Sequence, residues 1–168
     1  MTHPLVNQLR FTRSEWRRAL AGIPADDALR RFEPLNCISW MVGHLAWQEN
    51  RYWSYFSLGQ SVIPHVEPLV GYGKPASTPP LDEMWAAWET ATKSADETLE
   101  AITEEMLPAF YEIAGKPVFE SIGTLLQRNI YHYWFHTGEA LAIRQLLGHT
   151  DLPEFVGSFP EWAHYQSE

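Results

Sequence analysis

Apolar positions recur at helical rather than strand spacing along most of this chain. Leu5, Leu9, Trp16 and Leu20 share one face if residues 4–21 form a helix, with Pro4 in its first turn and Gly22 at its stop. Arg10, Arg13 and Arg17 form an i, i+3, i+7 stripe beside that face. A solvated face is expected there, with capture of an acidic ligand as the alternative. A second helix is predicted over 36–58, capped by Asn36 and stopped by Gly59. Its stretch 38–56 is dense in Trp, Tyr, Leu and Met, so it should be buried around most of its circumference. The third helix should be capped by Thr78 and opened by Pro79 and Pro80. Leu81, Met84, Trp85, Trp88, Ala95, Leu99 and Ile102 line its core face, and Asp82, Glu83, Glu89, Lys93, Asp96, Glu97 and Glu100 its wet face. A fourth helix is predicted over 121–147, ending at Gly148, with a run over 130–136 that is bulky on every side.

The connections carry topology. Residues 59–80 hold three Gly and five Pro and are long for a structureless link. The second helix is about 35 Å long at 1.5 Å per residue. A connection of this length can run back along it, so the second and third helices are expected to lie parallel. In the 103–120 link, Ala114-Gly115-Lys116-Pro117 predicts a turn or small hairpin. The tail, 149–168, carries Phe155, Phe159, Trp162 and Tyr165 and is expected to fold back onto the helices or onto a second subunit. With no repeat or linker, residues 1–168 read as one all-α domain built on four long helices.

Composition narrows the function classes. Twelve basic against 21 acidic residues give a net charge of −9, which disfavours nucleic acid, whose non-specific affinity comes from Lys and Arg. At 45% apolar residues the chain is not disordered. No run of about 18 apolar residues is present to span a membrane. The start lacks a basic stretch followed by an apolar one, so no secretory signal is expected. The single Cys37 excludes an internal disulfide and fits a reducing compartment, so a cytoplasmic location is expected.

Few residues can carry chemistry. His132 and His136 leave one helix face one turn apart, a spacing at which two ring nitrogens can reach one metal at about 2.1 Å. Two partly buried imidazoles with hydrogen-bond partners are the alternative. Glu139 follows on the same face, either as acceptor for a histidine N–H or base beside a metal, or as an ordinary carboxylate paired with Arg144 or Lys116. His44 lies mid-way along the second helix, and three histidines in two apolar helices are costly unless something collects them. A divalent ion would do so, although spacing alone does not bring His44 to the other two. Arg51 and Cys37 flank His44 by seven residues each way, about 10.5 Å along the axis. Arg51 is a candidate anchor for an anionic substrate, and Cys37 a small core residue. Trp40, Trp47 and Trp134 neighbour the histidines and are candidate pocket walls. His3, His65, His149 and His164 are expected to face solvent. No nucleophile elbow, phosphate-binding loop or dinucleotide glycine motif is present.

Trp40-Met41-Val42-Gly43-His44-Leu45, followed about 90 residues later by His132-x-x-x-His136-x-Gly138, resembles the DinB/YfiT-like family over essentially the whole chain. The resemblance implies a four-helix bundle in up-down-down-up order, with the long crossover between helices two and three, and a homodimer. It implies one divalent metal, variously zinc, nickel, iron or manganese, on His44, His132 and His136. It also implies a small-molecule substrate such as a low-molecular-weight thiol, in transfer or isomerisation rather than hydrolysis. A non-catalytic metal-binding or stress-related bundle is the alternative. After His136 this chain reads Thr137-Gly138-Glu139 where members of the family often read Arg-Gly-Gln. The ligands survive that departure, but no particular thiol carries over.

Overall fold

A computed structural model describes residues 2–165. The protein is an all-α helical bundle carrying one small hairpin. Its helices are α1 (Pro4–Ala19), α2 (Ala25–Leu29), α3 (Ile38–Asn50), α4 (Phe56–Leu58), α5 (Glu67–Val70), α6 (Leu81–Glu100) and α7 (Ile122–Leu146). β1 (Glu112–Ile113) and β2 (Lys116–Pro117) pair antiparallel. Among the described residues no helix is long and apolar enough to cross a membrane. The chain gathers into two compact units. One comprises Met1–Ala21, Glu100–Ala109 and Glu120–Glu168, the other Gly22–Leu99 and Phe110–Phe119.

In the first unit, Pro4 opens α1 and His3 caps it, its Nδ1 accepting from the Leu5 amide at 3.2 Å. His3 is therefore not a solvent-facing residue, and its Nε2 lies 2.8 Å from Glu104. Val6, Leu9, Trp16 and Leu20 are buried. The arginine stripe is a solvated face only in part. Arg10 pairs with Glu100 at 2.8 Å, Arg13 is buried, and Arg17 alone of the three is exposed. The stripe borders the buried face of the helix, where long aliphatic stems are covered readily. Ser121 caps α7, and Gly148 ends it with φ 85°, a conformation glycine adopts without strain. Phe11 meets Trp134, and the Arg144 guanidinium donates to the Ala19 carbonyl at 2.5 Å, so α1 and α7 run parallel. The tail folds back over these helices. Gln8 donates to the Ala163 carbonyl at 2.8 Å, Phe11 packs on Phe159, and the Gly157 amide donates to Glu15 at 2.8 Å. Residues 166–168 of the expected tail lie outside the described residues.

In the second unit, α3 continues without a break through a π-helical turn (Arg51–Tyr55) into α4, which closes at Gly59 with φ 77°. Every residue of α3 is buried. Its N-cap is Cys37 rather than Asn36, with Sγ accepting from the Trp40 amide at 3.4 Å. Thr78 does not cap α6, which begins only at Leu81, with the Pro80 carbonyl accepting from Met84. The 59–80 link is not structureless, since it contains α5. Ser39 bonds to the Pro79 carbonyl, Ser54 to Ser94 and Ser57 to Thr98. The partners stay 40 or 41 residues apart along the whole contact, so α3–α4 and α6 run parallel, as the length of the link suggested. Gly43 makes this close approach possible, because a Cβ there would stand 2.3 Å from the Met84 sulfur. The hairpin turns at Ala114 and Gly115, both at positive φ (51° and 73°), as two-residue turns between twisted strands require.

Candidate metal centre

His44 sits in the fully buried α3 between two indoles of its own helix. Trp40, one turn before, stacks on it at 4.4 Å, and Trp47, one turn after, at 5.3 Å. Its Nδ1 lies 2.7 Å from the Val70 carbonyl at the end of α5. A carbonyl only accepts, so Nδ1 carries the proton and Nε2 keeps its lone pair. The short helix α5 thus fixes both the tautomer and the direction of the ring. Composition hid this contact, because the acceptor is backbone. A signal for the helix was present all the same: Glu67-Pro68 suits a first turn and Gly71 a stop.

His132 and His136 stand one turn apart on α7, with their Nε2 atoms 2.9 Å from each other. On its other side His136 points Nδ1 at the Glu139 carboxylate, 2.6 Å away. A carboxylate accepts that N–H, which leaves the His136 Nε2 lone pair directed at His132. Glu139 is thereby placed beside His136, and not on Arg144 or Lys116. The exposed Phe135 ring stands edge-on to His136 at 5.1 Å.

One ring nitrogen from each of His44, His132 and His136 lies within 4.8 Å of the others. The donor set fits a metal. Two ligands at about 2.1 Å from one ion and at right angles to each other are about 3 Å apart, close to the 2.9 Å between the α7 rings. His44 and His136 each have an acceptor orienting the far nitrogen, the support that metal-bound imidazoles ordinarily have. Three neutral imidazoles suit zinc, nickel, iron or manganese and leave coordination positions open. A group of two buried histidines and one half-buried histidine of this kind could hold a metal ion.

The other sequence candidates fall in different places. Trp40 and Trp47 flank His44, whereas the ring neighbours of Trp134 are Phe11 and Phe155. Arg51 lies over the faces of Trp47 and Phe56, at 5.4 and 5.5 Å. Burial raises the Cys37 thiol above its ordinary range, which keeps it protonated as a core residue. His65 and His164 are exposed, and His149 accepts from Arg144 at 3.1 Å. The sequence model of the DinB superfamily matches residues 8–140, a span that includes all three histidines. None of the curated proteins matches the chain.

Proposed function

Because the chain belongs to the DinB superfamily, we propose that it is a metal-dependent enzyme working on a small thiol, by transfer or isomerisation. The observation that carries this reading is the convergence of His44, His132 and His136, each offering one ring nitrogen. A divalent ion held there would act as a Lewis acid, favouring the deprotonated form of a thiol and so supplying a nucleophile at neutral pH. The chain's own residues do the positioning. Val70 and Glu139 hold two of the rings by their far nitrogens. Trp40 and Trp47 cover the faces of His44 and exclude water from it. Glu139 serves as a positioning residue for His136. Catalysis is favoured over mere metal retention because Trp47 also walls a cleft of about 400 Å³ in which a small molecule fits.

The test is metal analysis of protein purified without an affinity tag, then melting with and without a chelator. One equivalent of divalent ion per chain is expected. The chelator should lower the melting temperature at pH 7 and hardly at all at pH 5, because imidazoles must lose their protons to ligate. His136→Ala should abolish the chelator effect, and His65→Ala should leave it intact. An equal chelator effect at both pH values would exclude a three-histidine site. Metal bound without turnover of any thiol in a screen would favour the non-catalytic reading.

A further inference from the structure

The cleft beside Trp47 has a lining whose chemistry is unassigned. Arg51 opens the π-helical turn, its guanidinium lying over Trp47 and Phe56. Its guanidinium carries a fork of N–H donors, and the side chain lines the cleft. Among the described residues no carboxylate pairs with it. Glu67, from α5, lines the same cleft and likewise has no cationic partner among the described residues. One unpaired cation and one unpaired anion therefore face a single space. Asn50, 4% exposed, donates to Ser61 at 2.8 Å and accepts from the Val62 amide at 2.8 Å, tying the Ser61 part of the lining to the helix. π-Turns inside α-helices occur frequently at functional sites, and this one presents Arg51 and Tyr55 to the cleft together.

We propose that this cleft binds the α-amino-acid end group of a small thiol, its carboxylate on Arg51 and its ammonium on Glu67. A guanidinium edge matches a carboxylate by two parallel hydrogen bonds. A phosphate or dicarboxylate would meet the same arginine but be repelled by Glu67, whereas an ammonium one carbon from the carboxylate satisfies it. Trp47 joins this end to the metal site, with Arg51 against one part of its surroundings and His44 stacked at 5.3 Å on another. Seven residues of helix separate the two, about 10 Å along the axis. The inference rests on the thiol reading for the identity of the ligand's other end, but the charge recognition stands within α3, the π-turn and α5 alone.

L-homocysteine carries both charges, 3-aminopropane-1-thiol lacks the carboxylate, and 4-mercaptobutyrate lacks the ammonium. Their binding is measured by ligand-observed NMR on metal-stripped protein, where the sulfur contributes little. L-homocysteine should bind about tenfold more tightly than either half-molecule, a difference in keeping with one charge-assisted hydrogen-bonded contact. Arg51→Gln should erase its advantage over the amine, and Glu67→Gln its advantage over the acid, with melting temperatures unchanged. Equal binding of all three, or discrimination that survives both substitutions, would overturn the proposal. If Arg51→Gln fails to fold, Glu67→Gln alone decides, since Glu67 is exposed on a short helix. Repeating the series with zinc separates the two readings. Discrimination that persists while zinc tightens no thiol would keep the cleft and remove the metal site. Zinc tightening without charge discrimination would do the reverse.

Discussion

At the scale of single residues, the informative contact is the one between Glu139 and His136, 2.6 Å long and three residues apart. A carboxylate behind an imidazole fixes its tautomer and raises its basicity toward whatever lies on the other side. Glu139→Gln keeps the shape and removes the charge. Its affinity for zinc should fall about tenfold or more, within the 10–100-fold typical of such partners, while the metal-free protein melts as the parent does. Competition against a chromogenic chelator measures this, and an unchanged affinity would reduce Glu139 to a spectator. The histidines and this carboxylate were legible in the sequence because helical spacing is arithmetic. The Val70 carbonyl that orients His44 was not, since every residue carries a carbonyl and only the fold chooses among them. Arg13 misled for a related reason. Charge marks a residue as polar, yet its stem can be buried while the head finds partners.

At the scale of elements, the four long helices, the hairpin turn and the glycine stops were readable from periodicity and from positions that need positive φ. The π-turn at Arg51–Tyr55 was not, because one extra residue in a helix changes neither composition nor amphipathic pattern visibly. Gly43 shows how closely the parallel helices approach. Ala is favoured over Gly in a helix by about 1 kcal/mol. A Cβ at this position, however, would meet the fully buried Met84 and stand 3.2 Å from Val70. Overpacking of that kind costs about 1–3 kcal/mol. Gly43→Ala should therefore lower the melting temperature, by about 2–4 °C per kcal/mol of net loss. Combined with Met84→Ala the same change should become stabilising. A rise in the wild-type background would show that Met84 yields and that the approach is not tight.

At the scale of the molecule, the tail completes the first unit through Glu15. This buried carboxylate accepts from Arg18 at 2.6 Å and from the Gly157 amide at 2.8 Å. The Arg18 hydrogen bond, opposed by burial and helped by Gly157, holds its pKa below the ordinary carboxylate value. Since the folded value is the lower one, the stabilisation is complete above about pH 4.5 and is lost as pH falls through the folded value. Glu15→Gln should melt below the wild type at pH 6, and the gap should close as the pH is taken down toward 3. A gap independent of pH would mean that packing, not charge, secures the tail. Aromatic content predicted that the tail docks, but not that a glycine amide is the latch, because backbone donors carry no sequence signature.

The parallel pairing of α1 with α7 joins two helices about 100 residues apart in sequence. On the ribosome, at about 5–20 residues per second, α1 emerges roughly 5–20 s before α7 exists. A sixteen-residue helix is marginal by itself in water. Trp16, Leu9 and Val6, all fully buried in the finished protein, must therefore wait in an unfinished chain with their own partner helix still unmade. The first unit therefore closes only after α7 has been made. The stretch most exposed to aggregation or chaperone capture during that interval is α1, and a nonsense or frameshift lesion ahead of α7 would strand it there permanently.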